Sequence, residues 1–343
     1  MSIKKQIMLR FFLSLFGALC LLSCNSRAAY YSFDGFALGT TYHVVYQSPQ
    51  GKAPKALQAR LAKGIGQSIT ALNLSLSVYD PASIISKLNR NEEVELDSLF
   101  LNLFYRAKEI TALTGGAFDI SAGPYFERGG FGAGQRVQTT QAQLDSIAAF
   151  VGMDKVRIEG KKLFKSDPRV MLNANAIAKG YASDLVGMRF AELGIENFLV
   201  EIGGEIYCRG RNADGLPWSI GIDRPEYGNI VPRANMQAIL QVSGGGLATS
   251  GNYRTYFEEN GQKFGHTINP VTGRSVQHNL LSATVIAEDC MTADALATAF
   301  MVMGLEASLQ FLEAHPRWQA YLIYSDASGA FQSAQTPGIV LKN

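Results

Sequence analysis

The feature of this sequence that most constrains its fold is a series of short strand-like segments between residues 198 and 287. The segments are FLVEI, EIYCRG, WSIGID, QAILQV, TYFEE, KFGHTI and SATVIA. Asn260-Gly261 lies between two of them, and this dipeptide is typical of a two-residue hairpin turn. Closely spaced strands joined in this way predict a largely antiparallel sheet.

Helical patterns lie on both sides of this strand-rich region. Helices are predicted for residues 56 to 73, 97 to 116, 176 to 193, 291 to 303 and 305 to 314, and single strands for GFALGTTYHVVY and WQAYLIY. In the segment 97 to 116, Asp97 or Ser98 can cap the helix, and Gly115-Gly116 ends it. Helices and strands are mixed rather than strictly alternating. The sequence therefore predicts an α+β fold: a single compact domain with a mostly antiparallel sheet and flanking helices.

The N-terminus is predicted to be a targeting segment. A basic stretch, MSIKKQIMLR, precedes the apolar stretch FFLSLFGALCLL, which is too short for a comfortable transmembrane helix. LLSC places Cys24 where bacterial lipoproteins are cut and acylated; the alternative is an ordinary secretory signal cut near Ala28 or Ala29. The expected organisation is a lipoprotein signal over 1–23, a lipidated linker over 24–33 and one folded domain over 34–343. This predicts a lipid-anchored protein of the bacterial cell envelope that faces the periplasm.

The charge of the mature chain argues against a nucleic-acid-binding protein, and its cysteines argue against a protein held together by disulfides or a cysteine metal site. Removal of the signal removes Lys4, Lys5 and Arg10, which takes the net charge from +2 to −1. Because no basic stripe remains elsewhere, no nucleic-acid partner is expected. Cys208 and Cys290 lie in apolar runs and form no CxxC spacing, so buried thiols are expected rather than a disulfide or a cysteine metal site.

Two glycine-containing stretches in the first half of the chain suit either a turn or a ligand. TGGAFDISAGP, residues 114 to 124, fits a helix end followed by a turn that Asp119 caps. In NANAIAKGYASD, residues 173 to 184, Lys179-Gly180 begins a helix, and a helix N-terminus favours an anion. A strand-to-helix turn with a surface lysine fits the second stretch equally well, and the P-loop pattern is missing. GGFGAGQ, residues 129 to 135, is predicted to be a loop.

Two stretches in the second half of the chain can likewise be structural turns or parts of a ligand site. EIGGEIYCRG contains Gly203-Gly204 between two strands, which fits a tight turn or a loop that faces a ligand. The segment 247 to 274 concentrates polar residues around a predicted hairpin: Ser250, Tyr253, Arg254, His266, Asn269 and Arg274. His266 is one of four histidines, and it is either a structural residue or a general base.

The apolar helix MTADALATAF carries a carboxylate and a hydroxyl on one face. Asp294 and Thr298 are one helical turn apart, so both oxygens project in the same direction. Hard divalent cations take such oxygen ligands. The alternative is that Asp294 caps or pairs near the helix start while Thr298 bonds back to a carbonyl. Spacing alone does not separate the two.

Taken together and in order, these segments resemble one family, the FAD:protein FMN transferases or ApbE proteins. The ordered set is GTTY, SVYDPASIISKLN, GGAFDISAGP, IAKGYASD, GGEIYCRG, TSGNYRTYF, HTINPVTGR and ADALATA, and it extends over roughly residues 34 to 315. Each segment is weak alone, but their order and spacing are specific. The resemblance implies a T-fold-like domain.

The resemblance also assigns residues to roles. It implies one divalent ion, usually Mg²⁺, bound by Asp294, Thr298 and the backbone carbonyl of Ala176. It implies catalytic roles for Asp294 and for His266, the latter as a base for the acceptor hydroxyl. The positions that it implies for the FAD site are Leu38, Tyr79, Ala117, Phe118, Asp119, Asn173, Lys179 and Ile268.

The implied reaction transfers FMN from FAD to a Thr or Ser hydroxyl of an acceptor flavoprotein, a subunit of a membrane redox complex, and releases AMP. Hydrolysis of FAD to FMN and AMP is one alternative, and flavin binding without turnover is another. The chain departs from the family pattern at Asn173 and Asn269, where an Asp is common. These amides keep a hydrogen-bonding side chain but lose the negative charge.

Overall fold

A computed structural model of the protein describes residues 29–49, 55–130, 137, 139–226, 234–252, 256–259, 262–265 and 267–342, with residues 256–259 and 262–265 described by backbone alone. No helix within these ranges is both long and apolar enough to cross a membrane. The predicted signal peptide, Cys24, most of the loop at 129 to 135, Asn260-Gly261 and His266 lie outside the described residues.

An eight-stranded antiparallel sheet forms the centre of the fold, in the order β1-β2-β5-β6-β9-β12-β13-β14. Among the described residues, three further antiparallel strand pairs, β3–β4, β7–β8 and β10–β11, lie outside it. The strands are β1 Tyr30–Ala37, β2 Thr40–Gln47, β3 Val156–Glu159, β4 Lys162–Lys165, β5 Phe198–Ile202, β6 Glu205–Arg209, β7 Trp218–Asp223, β8 Met236–Val242, β9 Gly244–Gly251, β10 Tyr256–Glu259, β11 Gln262–Gly265, β12 Leu280–Ala287, β13 Gln319–Ser325 and β14 Phe331–Gln335.

The helices pack mainly against one face of this sheet. They are α1 Lys55–Leu76, α2 Ile84–Asn89, α3 Ser98–Leu113, α4 Gly123–Gly129, α5 Gln141–Ala148, α6 Ala178–Glu192, α7 Cys290–Met303 and α8 Leu305–Ala314. Capping side chains set several of their starts: Asp97 accepts the Phe100 N–H at the start of α3, and Thr140 with Gln143 forms a capping box on α5.

Side-chain alternation along the strands divides the interior into two apolar layers. Val44, Val200 and Ala248 point to the helices and join the larger core. Their neighbours along the strands, such as Leu199 and Leu247, point to the opposite face and pack under the β7–β8 hairpin. Both faces of the sheet are therefore covered, which is why the middle of a central strand such as β9 is buried.

The predicted α+β class and the antiparallel sheet with flanking helices are confirmed, and the predicted helices agree with α1, α3, α6, α7 and α8 to within a few residues. Cys208 and Cys290 are both buried and unpaired, as expected.

One predicted strand is wrong, and one central strand was not predicted. GFALGTTYHVVY is not one strand but the hairpin β1–β2, because Leu38 and Gly39 adopt φ of 52° and 73° and turn the chain. In addition, the glycine-rich segment Gly244–Gly251, which is absent from the predicted strands, forms β9, a central strand between β6 and β12.

Candidate functional site

A cavity of about 920 Å³ opens at one end of the large sheet, beside the N-termini of α6 and α7. The turn Gly203-Gly204 between β5 and β6 forms part of its wall. Both glycines have positive φ, 65° and 104°, and a Cβ on Gly203 would lie 2.8 Å from the Thr40 side chain. Gly203-Gly204 is therefore a tight turn that also faces the cavity. The two interpretations of this dipeptide, a tight turn and a loop that faces a ligand, are both compatible with the structure.

Most of the residues predicted for the site line this one cavity. They are Tyr79, Ala117, Phe118, Asp119, Asn173, Ala176, Lys179, Ile268, Asp294 and Thr298. Leu38 lies in the β1–β2 turn and packs against the larger core, while its neighbours Thr40 and Thr41 line the cavity. His266 lies outside the described residues, between β11 and Thr267, and Thr267 lines the cavity.

Helix α7 carries Asp294 and Thr298 into the cavity wall. Asp289 caps this helix, since its carboxylate accepts the Thr292 N–H at 2.7 Å. The helix is buried on nearly all sides, so its polar side chains need specific partners. Thr298 Oγ1 lies 3.3 Å from Ser250 Oγ of β9. It therefore bonds across the cavity wall rather than back to its own helix.

Asp294 is almost fully buried, with 4% of its surface exposed, and its partner is the first turn of α6. The backbone N–H of Gly180 donates to Asp294 Oδ2 at 3.0 Å. Burial raises the pKa of Asp294 to about 7, although the nearby Lys179 ammonium favours the charged form. A cation in the cavity would stabilise the carboxylate further.

The same contact leaves a carbonyl oxygen available. In a regular helical turn the Gly180 N–H would donate to the carbonyl of residue 176, four positions earlier. Here it donates to Asp294, and no described residue donates to the carbonyl of Ala176. Ala176 lines the cavity beside Asp294 and Thr298. The sequence spacing of Ala176 and Gly180 could not reveal this available carbonyl. The change of hydrogen-bond partner depends on Asp294, which is more than a hundred positions away in the sequence.

These oxygens fit a hard divalent cation such as Mg²⁺. The set consists of one carboxylate, one hydroxyl and one backbone carbonyl without a described donor. Within the described ranges no group of three or more His, Cys, Asp and Glu side chains is placed to hold a metal. Mg²⁺ needs no such group, since it is commonly held by one or two carboxylates together with waters and substrate phosphates.

Lys179 places a permanent positive charge beside this oxygen set. Its ammonium pairs with the carboxylate of Glu205, which is the first residue of β6 and is buried. Burial alone would lower the pKa of Lys179, but the carboxylates of Glu205 and Asp294 outweigh burial and raise it above its ordinary value. Lys179 is therefore charged at neutral pH, next to the N-terminus of α6, and both features attract an anion.

Asp119 holds the turn in TGGAFDISAGP while it lines the cavity. Asp119 Oδ1 accepts the Ser121 N–H at 2.7 Å and the Ser121 hydroxyl at 2.6 Å, and Oδ2 accepts the Met153 N–H at 3.2 Å. Asp119 therefore caps this turn, as the sequence pattern predicts. The turn fixes Ala117 and Phe118 at the cavity surface.

An exposed aromatic ring stands at the mouth of the cavity. Tyr79 is 60% exposed, and its hydroxyl accepts a hydrogen bond of 2.9 Å from the Asn175 amide. A tethered but exposed ring offers a flat apolar surface to a planar ligand group.

The two amides that replace the family's usual Asp hold turns. Asn173 Oδ1 accepts the Asn175 N–H at 2.9 Å, and Asn269 Oδ1 accepts the Val271 N–H at 2.8 Å. Both contacts need an acceptor oxygen and no negative charge, so an amide serves them as well as a carboxylate.

Parts of the site were not predicted from the sequence. In the sequence, Glu205 stands out only as part of a glycine-containing stretch. A carboxylate at the start of an apolar strand is nevertheless a signal that the side chain has an ionic partner, here Lys179. The β7–β8 hairpin supplies a further wall, including Trp218 and Ile222, and its side chains look like ordinary core residues in the sequence. Only the packing of this hairpin over the sheet places them at the cavity.

An α+β domain with a large cavity, a half-buried lysine, a helix N-terminus and converging oxygen ligands defines a protein that binds a phosphate-bearing ligand. The model of the ApbE family matches residues 38–322. A FAD:protein FMN transferase of Haemophilus influenzae is 35% identical over 322 residues, 91% of each chain. The Escherichia coli K12 protein of the same name is 34% identical over 283 residues, 80% of this chain and 78% of that protein. The chain belongs to the ApbE family.

Solved structures agree with this assignment. The flavin transferase ApbE from Vibrio cholerae superposes with a TM-score of 0.79 at 33% identity, covering 90% of this chain and 98% of that one. The ApbE protein from Thermotoga maritima gives a TM-score of 0.75 at 28% identity, with coverage of 89% and 97%.

Proposed function

We propose that this protein is a FAD:protein FMN transferase that attaches FMN to a Thr or Ser hydroxyl of an acceptor flavoprotein and releases AMP. One observation carries this proposal. Lys179, Asp294, Thr298 and the Ala176 carbonyl converge on a single cavity at the start of α6, where a pyrophosphate would find both a cation and oxygen ligands for a metal. The family relatives carry the same activity in their names.

The reaction is a displacement at phosphorus. The acceptor hydroxyl forms a new P–O bond to the FMN-side phosphorus of FAD, the anhydride P–O bond breaks, and its electron pair leaves with AMP. Such a transfer needs charge on the phosphate oxygens neutralised and the nucleophile aligned. Lys179, at the positive N-terminal end of α6, contributes to the first need. The hydroxyl proton goes to a base, a role that we assign to His266.

Asp294, Thr298 and the Ala176 carbonyl would hold Mg²⁺ in this cavity. When bound, the ion supplies Lewis-acid charge neutralisation to the pyrophosphate. The protein contributes the geometry: Gly180 orients the Asp294 carboxylate, and Ser250 lies within hydrogen-bond distance of Thr298. The exposed ring of Tyr79 offers a stacking surface for one ring system of FAD.

We also propose that the protein is anchored to the envelope through a lipid on Cys24 and works on a subunit of a membrane redox complex at the periplasmic side. The basis is the LLSC sequence after a signal-like segment. The mass of the N-terminal peptide of the mature protein tests this: the proposal predicts an acylated Cys24 as the first residue. An unmodified N-terminus near Ala28 or Ala29 would rule out a Cys24 anchor.

A product assay tests the transferase activity. The full-length protein in detergent is incubated with FAD, Mg²⁺ and a flavoprotein subunit of a membrane redox complex, and AMP, free FMN and the mass of the subunit are measured. The proposal predicts one FMN on a Thr or Ser of the subunit and an equal amount of AMP. Free FMN and AMP without an adduct would identify a pyrophosphatase, and intact FAD would identify a binding protein.

A further inference from the structure

Asp184 is a buried carboxyl group that the proposed reaction does not use. It lies on α6, one turn after Gly180, and points at the start of α7. Its Oδ1 accepts the Cys290 N–H at 2.7 Å, and its Oδ2 accepts the Met291 N–H at 2.8 Å. These two N–H groups are at the N-terminus of α7, where no intrahelical acceptor exists. A side chain of α6 thus caps α7.

The opposite contact completes a reciprocal pair. Asp294 of α7 accepts the Gly180 N–H in the first turn of α6, a helix whose own N-cap residue, Ile177, makes no side-chain cap bond. Each helix therefore supplies the carboxyl group that caps the other. The helices also touch closely, since a Cβ on Gly180 would lie 2.2 Å from the Cys290 carbonyl oxygen and 2.8 Å from Asp294 Cβ.

Stabilising the start of α7 does not by itself explain Asp184. Asp289 already caps that helix from within its own chain segment by accepting the Thr292 N–H. Unlike Asp289, Asp184 fixes the position of α7 relative to α6. That relative position decides whether Asp294 reaches the Gly180 N–H, and this contact in turn directs that N–H away from the Ala176 carbonyl.

We infer that Asp184 is a positioning residue for the metal site: by holding the start of α7 against α6, it sets Asp294 and leaves the Ala176 carbonyl open toward the same ion. This inference rests on the proposed Mg²⁺ site and deepens it. Residues that orient metal ligands commonly change metal affinity by about 10- to 100-fold when they are replaced.

Asp184→Asn and Asp289→Ala form a matched pair for the test. Asp184→Asn keeps the shape but turns one acceptor oxygen into an NH₂ group, which faces a backbone N–H. Asp289→Ala removes the cap on the same helix end, and its 3.5 Å contact with Arg106, but leaves in place the hydrogen bonds that join α6 to α7. Both variants weaken the start of α7, so a role limited to helix stability would affect them alike.

Binding of Mg²⁺ alone to each full-length protein is measured by titration calorimetry at one fixed pH. We expect Asp184→Asn to weaken binding about tenfold and Asp289→Ala to leave it unchanged. In the transfer assay, Asp184→Asn should raise the Mg²⁺ concentration for half-maximal rate, while the rate at saturating Mg²⁺ stays near that of the wild type. Unchanged affinity in Asp184→Asn, or an equal loss in both variants, would overturn the inference.

Hydrogen exchange at the Gly180 amide gives a second readout that needs neither metal nor flavin. Exchange should be about tenfold faster in Asp184→Asn than in the wild type and in Asp289→Ala, because Asp294 would hold that N–H less firmly. Equal exchange in all three proteins would overturn the inference. Because calorimetry and exchange do not depend on flavin transfer, they separate failure of this inference from failure of the proposed activity.

Discussion

At the residue scale, the site depends on which polar groups of α7 have partners. Asp294 bonds to Gly180 and Thr298 lies near Ser250, whereas the buried hydroxyl of Thr292 has no hydrogen-bond partner in the described structure. A buried hydroxyl without a partner carries a desolvation cost. Because Thr292 is not one of the proposed metal ligands, a change at this position tests the stability of α7 and leaves those ligands in place.

Thr292→Val should raise the free energy of unfolding by about 1 kcal/mol, because a methyl group replaces an unsatisfied hydroxyl of similar size. Chemical denaturation measures the change. Thr114→Val is the matched control. The Thr114 hydroxyl donates to the Ile110 carbonyl at 2.7 Å, so its loss should destabilise the protein. If Thr292→Val destabilises as much as Thr114→Val does, the Thr292 hydroxyl has a partner after all.

The spacing of Asp294 and Thr298 could be recognised in the sequence, but its meaning could not. A cap and a metal ligand need the same residue types at the same spacing. The contacts of Gly180 and Ser250 with α7 help to distinguish a cap from a metal ligand. Both residues are distant in sequence and reach α7 only in the folded chain. The resemblance to the family supplied the same assignment from the order of motifs.

At the element scale, helices were easier to predict than central strands. Apolar periodicity and caps mark α3 and α7 clearly. Strand β9 was missed because its glycines have low strand propensity. Its packing explains these glycines: a Cβ on Gly246 would lie 2.1 Å from the Cys290 backbone nitrogen. The close approach of α7 to the sheet, rather than local preference, selects glycine there.

Two glycines within helices should respond oppositely to alanine. Gly66 is exposed in α1, with nothing within 4 Å of a Cβ, so Gly66→Ala should stabilise the protein by up to about 1 kcal/mol. A Cβ on Gly187 in α6 would lie 2.2 Å from the Tyr207 ring, so Gly187→Ala should destabilise it by about 1–3 kcal/mol. Thermal unfolding of both variants checks this, and two shifts of the same sign would contradict the packing of α6 on β6.

At the scale of the whole molecule, the strand order could not be predicted from the sequence. β2 pairs with β5, and β6 with β9, across long insertions that contain helices and a separate hairpin. Local patterns predict strands but not these pairings, which depend on burial of both sheet faces. The cavity arises at the end of that assembled sheet, so its full lining could not be predicted either.

Buried carboxyl groups should make the stability of the metal-free protein depend on pH. Burial, together with the nearby carboxylates of Asp289 and Asp294, raises the pKa of Asp184 to about 8, although the Cys290 and Met291 N–H groups favour the charged form. Its folded pKa lies above the unfolded value of 3.8, so the folded state binds more protons between these values. The stability that Asp184 contributes is therefore complete below about pH 4 and is lost as the pH rises through 8.

Denaturation of wild type and Asp184→Asn in the presence of a chelator isolates this effect. Between pH 4 and pH 8 the wild type should lose stability relative to the variant, by at most about 1.4 kcal/mol per pH unit. A difference that grows in favour of the wild type over this range would show that Asp184 is already ionised near pH 4 in the folded protein.

The mass of an acceptor subunit after incubation with FAD, Mg²⁺ and Asp294→Asn tests the central claim most directly. Asparagine keeps an acceptor for the Gly180 N–H but loses the charge that the ion needs, so transfer should fall at least about 100-fold. Thr292→Val, on the same helix, should transfer FMN like the wild type. An FMN adduct formed by Asp294→Asn at the wild-type rate would contradict the assignment of Asp294 and the metal site built around it.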